Sequence, residues 1–208
     1  MTYRHPGVLA KIVTTLDVLS GGRAMFGIGA AWYEREHQGL GVPFPATRER
    51  FERLEETLQI VQHAWNGGGR FDGRHYQLSE ITLAPQPLQP GGPRVMIGGD
   101  GERRTLRLVA QYADACNLFA ADPSVIKHKL DVLRGHCDDV GRPYDAIAKT
   151  IIASGWGPLE DVEAWLAAMQ EYADLGIEQV WTTPDASDPV GWTERMVEQV
   201  VPRLAEIN

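Results

Sequence analysis

"RVMIGGDGERRTLRLVAQYADACN", residues 94–117, decides the fold. Arg94 to Ile97 is short, apolar and partly β-branched, the pattern of a buried strand. Gly98, Gly99 and Gly101 then allow a tight backbone path, and Leu106, Val109 and Ala113 give the following run an apolar helical face. Strand, glycine-rich loop and helix form the basic α/β unit. A helix N-terminus leaves backbone N–H groups free for an anion, with phosphate the obvious candidate. The same glycines would also serve a tight strand-to-helix turn without any ligand. Asp100 counts against a phosphate unless its carboxylate points away.

The rhythm extends in both directions. Toward the N-terminus, Leu9, Ile12, Val13, Leu16 and Leu19 share a helical face ended by Gly21-Gly22, and Arg23–Gly29 reads as a buried strand. Its end at Gly29-Ala30-Ala31 is small and open, which suits close approach of a ligand or of neighbouring backbone. Residues 32–45 read as a loop with room for a helical turn. Thr47 is the expected N-cap of a helix on which Phe51, Leu54, Leu58, Val61 and Trp65 recur every three or four residues. Residues from about 67 to 93 leave the rhythm: a hairpin is expected around Asp72-Gly73, then a proline-rich extended passage. Toward the C-terminus, strands are expected at Ala115–Phe119, Ile147–Ser154 and Ile177–Thr182. Helices carry Ile126, Leu130 and Leu133, then Val162, Trp165, Leu166, Met169 and Ala173, then Trp192, Met196, Val200 and Leu204. Such alternation means parallel strands with helical crossovers, in a doubly wound sheet or part of a (β/α) barrel, here expected as one domain over residues 1–208.

Bulk composition excludes several classes. A net charge of −8 argues against a nucleic-acid surface. Cys116 and Cys137 form no CxxC pair and are too few for a disulfide framework. No stretch approaches the length of a membrane span and the N-terminus carries no apolar signal region, so a cytoplasmic protein is expected.

In either architecture ligands sit at the C-terminal ends of the strands. That rule selects Gly29–His37, Gly98–Thr105, Asn117, Ser154–Trp156 and Thr183–Asp185. His37 is a candidate acid/base group, or else a surface histidine in a charged loop. Glu34 and His37 lack further partners at metal-ligand spacing, so no metal is expected. His63 reads as structural, His5 as a pocket-lining residue if more chain preceded it, and His75, His128 and His136 as unsupported. Ser154 is not in a nucleophile elbow, and Cys116 reads as a small core residue. Trp32, Tyr33 and Trp156 could stack on a planar ligand or simply cover a barrel mouth. Arg103 and Arg104 follow the loop, where one can reach a phosphate or both can be surface residues. Neither "GGDG" nor "GIGAAW" is a dinucleotide fingerprint.

Taken together, "YRHPGVLAKIVTTLDVLSGGRAMFGIGAAWYEREHQGLG", "RFERLEETLQIVQHAW" and "LAPQPLQPGGPRVMIGGDGERRTLRLVAQYADACN" resemble the luciferase-like monooxygenases, in particular their coenzyme F420-dependent branch. The resemblance implies an α/β fold, a partial (β/α)8 barrel of the TIM type, and an oxidoreductase or monooxygenase acting on a small organic substrate with F420, or alternatively FMN. It implies that Gly29, Ala30 and Ala31 lie beneath the cofactor, and that Gly98, Gly99, Asp100 and Gly101, with Arg104 and Thr105, cradle its phosphate. It also implies that the first strands of the barrel, with the principal catalytic groups, are not in this sequence, so that more chain upstream, a homodimer or another chain would complete the barrel. Two other classes remain open: a phosphate-binding lyase or isomerase using His37 with Glu34 or Glu36, and a non-catalytic fragment that binds a cofactor or partner.

Overall fold

A computed structural model describes residues 2–153 and 157–207. Its contacts divide the chain into two compact units. One runs to Gly98 and includes Tyr112–Asp114; the other comprises Gly99–Gln111 and the chain from Ala115 onward.

The first unit contains α1 (Pro6–Leu19), β1 (Met25–Ile28), α2 (Glu34–Gly39), α3 (Thr47–Trp65), β2 (Gly69–Asp72), β3 (Gln77–Ile81) and β4 (Arg94–Gly98). Strands β1 and β4 are parallel, with Met25 opposite Arg94 and Ile28 opposite Ile97. A parallel pair cannot be closed by a tight turn, and α3 supplies the crossover. Its Leu54, Leu58, Val61 and Trp65 are buried with Phe26, Val95 and Ile97. Trp65 meets Phe26 edge to face at 6.0 Å, and its indole N–H donates to Thr14 Oγ1 at 3.0 Å. The hairpin β2–β3 forms where Asp72-Gly73 suggests it, antiparallel, closed by Gly73 N–H donating to the Tyr76 carbonyl at 2.8 Å.

The second unit contains α4 (Thr105–Tyr112, apart from its last residue), β5 (Ala115–Phe119), α5 (Pro123–Val140), β6 (Ala148–Ala153), α6 (Val162–Asp174), β7 (Gln179–Thr182), α7 (Pro189–Gln199) and α8 (Val201–Leu204). Strands β5, β6 and β7 are parallel neighbours, Cys116 facing Lys149 and Ile151 facing Val180. Helix starts follow local chemistry: Asp122, Asp161 and Asp188 each cap a first turn by accepting a backbone N–H. Gly141, at φ 67°, ends α5 in the left-handed conformation. Parallel strands alternating with helices give the architecture of a partial (β/α) barrel. Among the described residues, no helix is long and apolar enough to cross a membrane.

Three local expectations are corrected. Thr47 does not cap α3; the cap position is Ala46, and Thr47 instead accepts from Arg50 at 3.3 Å. The terminal helix is broken at Val200 into α7 and α8, where Pro202 lacks the N–H needed to continue the ladder. Helix α1 is rotated from the face its hydrophobicity suggests: Ile12, Leu16 and Leu19 are exposed, while Ala10, Val13, Thr14 and Asp17 are buried. Polar bonds set that rotation. Asp17 is fully buried, and its carboxylate accepts from Leu88 N–H (2.8 Å), Gln89 N–H (3.1 Å) and Gln89 Nε2 (2.7 Å). The proline-rich passage is thereby fastened to α1.

Two predictions follow from these fastenings. Asp17→Ala removes a buried acceptor that holds three donors of the proline-rich passage and should cost about 1–3 kcal/mol in urea unfolding, whereas Leu88→Ala, at an exposed position, should cost little. At the hairpin, hydrogen bonds from Arg48 and then His75 hold the Glu52 carboxyl down at about 2, against an ordinary 4.5. A depressed carboxyl stabilises the fold fully above its unfolded value and loses that contribution as pH falls toward the folded value. Glu52→Gln should therefore lower the thermal midpoint at neutral pH and converge with wild type near pH 2. Parallel curves at all pH values would refute this assignment.

Candidate functional site

Strand β4 ends in bare backbone. A Cβ placed on Gly98 would meet nothing within 4 Å. The chain then turns at Gly99, whose φ of +115° suits glycine and whose N–H donates to the Asn117 carbonyl at 2.9 Å. That N–H is therefore committed to β5 and is withdrawn from the set the sequence offers to an anion. Thr105 opens α4 and is buried, packed under the loop so closely that a Cβ on Gly101 would sit 2.9 Å from its Oγ1. Leu106 N–H returns to the Gly101 carbonyl at 3.1 Å, and Leu108 N–H to the Arg104 carbonyl at 2.9 Å. The other N–H groups of a first helical turn have no intrahelical acceptor, and the helix dipole adds partial positive charge there. Asp100 is half-buried, while Arg103 and Arg104 are exposed at the turn.

Glu102 lies in this loop, and sequence reasoning missed it. Its Oε1 accepts from Lys129 Nζ at 2.6 Å, and His128 Nε2 lies 3.3 Å away. Its carbonyl oxygen accepts from His136 Nε2 at 2.8 Å. The Lys129 bond holds the Glu102 carboxyl below the ordinary carboxylate range. His128 and His136, unsupported in the sequence, thus gain partners through spatial neighbours on one helix. An acid in the loop and a Lys–His spacing along α5 were the only available signals.

The first unit's strand-end residues are also explained. At Gly29 a Cβ would lie 3.3 Å from the Gly98 carbonyl oxygen. Neighbouring backbone is therefore a sufficient reason for this glycine. Ala31 sits at φ 60°, a left-handed conformation unusual for a residue with a side chain. Arg50 steadies that segment by donating from Nε to the Ala30 carbonyl at 3.2 Å and from Nη1 to the Pro45 carbonyl at 2.7 Å. His37 is not a surface histidine: it is fully buried. Its Nδ1 lies 2.9 Å from the Tyr33 carbonyl, which can only accept, and its Nε2 lies 2.7 Å from Thr2 Oγ1. The Tyr33 carbonyl calls for a proton on Nδ1, while the Thr2 hydroxyl can meet Nε2 as donor or acceptor. Tyr3 donates to Glu36 at 2.6 Å, and this bond pushes the phenol up to about 12.

The remaining candidates divide. Cys116 is a core residue, its thiol pushed up to about 11 by burial. His5 caps α1 by accepting Gly7 N–H at 3.2 Å, and His75 lies 2.9 Å from Glu52. Trp32 is largely exposed and tilted against Tyr33 at 5.2 Å. Thr183 and Asp185 line a 490 Å³ cavity in the second unit with Glu160, Trp192 and Arg195. Ser154 and Trp156 lie outside the described residues. Among the described residues no three His, Cys, Asp or Glu side chains are grouped to hold a metal ion.

Several known proteins resemble this chain. The F420-dependent glucose-6-phosphate dehydrogenase of Kineococcus radiotolerans is 39% identical over 98 residues, covering 47% of this chain and 29% of that protein. The FMNH(2)-dependent dimethylsulfone monooxygenase of Pseudomonas putida is 32% identical over 151 residues, covering 69% of this chain and 41% of that protein. This chain thus spans less than half the length of either relative. A solved F420-dependent secondary alcohol dehydrogenase, in complex with an F420-acetone adduct, superposes with a TM-score of 0.82 at 16% identity, covering 98% of this chain and 76% of that one. At that identity the likeness shows the fold alone. The family model described as luciferase-like monooxygenase matches residues 1–173, and with the glycine-turned loop and partial barrel already in place, this chain belongs to that family.

Proposed function

We propose that this chain holds the phosphate of a deazaflavin or flavin cofactor, F420 in the first instance and FMN as the alternative, for an oxidoreductase acting on a small organic substrate. The observation that carries the reading is the loop from Gly99 to Arg104, turned by a left-handed glycine, buttressed by Thr105 and opening directly into α4. Its backbone suits a phosphate, with the half-buried Asp100 carboxylate as the one opposing charge beside Glu102. Backbone N–H groups of the first turn point out of a helix N-terminus, and Glu102 is paired with Lys129. Thr105 supports the loop from beneath, and Arg103 and Arg104 supply positive charge at its rim. The names of the relatives support both cofactors, the Kineococcus protein being described as F420-dependent and the Pseudomonas protein as FMNH(2)-dependent; F420 is put first on the resemblance of the sequence. Hydride or electron transfer would be the cofactor's own chemistry; the chain's part is to bind and orient it.

His37 is read as fixing the segment after β1, because proton transfer at either ring nitrogen would first have to break a hydrogen bond made in a buried place. The lyase or isomerase reading needed His37 beside Glu34 or Glu36 in an accessible site, and Glu36 is engaged by Tyr3.

Gly98→Phe tests the placement. Its φ is not left-handed and a Cβ there meets open space, so the variant should fold with an unchanged thermal midpoint. Its F420 affinity, followed by fluorescence titration, should fall at least about tenfold, the equivalent of 1.4 kcal/mol. Unchanged affinity in the folded variant overturns the placement, and tighter binding of FMN than of F420 by wild type reverses the choice of cofactor.

A further inference from the structure

We propose that Lys129 and His136 of α5 are positioning residues that hold the Gly99–Arg104 loop in its anion-accepting shape by gripping Glu102 at two points. This deepens the reading of the loop as a phosphate cradle and rests on it. Lys129 takes the Glu102 side chain at 2.6 Å, and His136 takes its main-chain carbonyl at 2.8 Å. The two side chains stand about two turns apart on the same helix, hence on one face. A single rigid element therefore fixes both the rotamer and the peptide plane of one loop residue. His128 adds a more exposed contact at 3.3 Å.

The grip has two physical consequences. Glu102 lies between Gly99, tied to β5 through Asn117, and Thr105, the first residue of α4. It is in the part of the loop that neither ladder holds. A segment with two glycines loses much backbone entropy when ordered, and ordering it before the ligand arrives removes that cost from binding. The second consequence is electrostatic. A free Glu102 carboxylate would oppose an incoming phosphate; paired with Lys129, most of which is withdrawn from solvent, it is held toward α5 and its charge is offset. Lys127 on the same helix pairs instead with Asp131, and so provides a control of equal charge.

The test compares Lys129→Met, Lys129→Arg, His136→Leu and Lys127→Met in two measurements on the whole chain. The first is amide hydrogen exchange of residues 99–105 without cofactor; the second is F420 affinity by fluorescence titration, repeated with FMN and inorganic phosphate. Lys129→Met should speed exchange in the loop and weaken F420 binding, each by about tenfold, with exchange elsewhere unchanged. His136→Leu should act in the same direction, Lys129→Arg should stay near wild type, and Lys127→Met should have no effect. Unchanged loop exchange in both Lys129→Met and His136→Leu overturns the grip. Faster exchange with unchanged affinity overturns the positioning role. If the wild-type protein binds none of the three probes, the functional reading fails and the positioning role falls with it. That outcome is distinguished by its absence of wild-type binding.

Discussion

The hydrogen bond from Gly99 N–H to the Asn117 carbonyl, 2.9 Å long, is the constraint around which the candidate site is built. It takes the first residue beyond β4 and ties it to β5, so the chain must turn at once. A left-handed φ of +115° is the consequence, and glycine is the residue that adopts it without steric cost. Every later feature inherits that turn: the short path through Gly101, the close packing of Thr105 beneath it, and the direction in which α4 presents its first N–H groups. The same bond also subtracts one donor from those the sequence offers to an anion. The loop is thus held by the fold first and available to a ligand second.

Segments outside the helix–strand rhythm are fastened by carboxylates that receive more than one donor. Asp17 takes two backbone N–H groups and a side-chain amide from Leu88 and Gln89. Glu56 takes the N–H groups of Arg74, His75 and Tyr76 at 2.8–3.0 Å and so closes the tip of the hairpin. Glu102 does the corresponding work for the glycine loop with Lys129. Hydrogen bonds to a charged acceptor are shorter and stronger than neutral ones. Irregular backbone, which has no ladder of its own, therefore gains most from them. This explains how a long proline-rich excursion can be ordered with little regular structure.

The rhythm itself was legible, because it depends on periods that sequence displays directly. The strand from Ala115 to Phe119 and the faces of α3, α4 and α5 are where apolar spacing puts them. The rotation of α1 was not legible. Its apolar residues outnumber its polar ones on the face that hydrophobicity favours, yet Asp17 and Thr14 turn inward to partners 71 and 51 residues away in sequence. The terminal helix misled for a local reason, since periodicity ran on through Pro202 while the backbone ladder could not. At the candidate site, the loop glycines were readable from their spacing and the turn they serve. Glu102 was hidden because its meaning resides in α5, and His37 because burial of a histidine among charged neighbours leaves no periodic trace.

Under the proposed reading, recognition through backbone would explain why sequence says more about a phosphate than about the ring attached to it. A phosphate held at a helix N-terminus would be met by N–H groups that every residue except proline carries. What the sequence must then conserve in physical terms is the path of the chain: a residue able to take a left-handed turn at position 99, no bulk at 98, and a small hydroxyl-bearing residue at 105 that fits under the loop. None of these requirements distinguishes a deazaflavin from a flavin, because none touches the ring. The distinction has to come from side chains that line the ring and the substrate, and those tolerate wide variation once the path is fixed. A fold shared at 16% identity and a TM-score of 0.82 shows how far side-chain identity can change while the backbone path is kept.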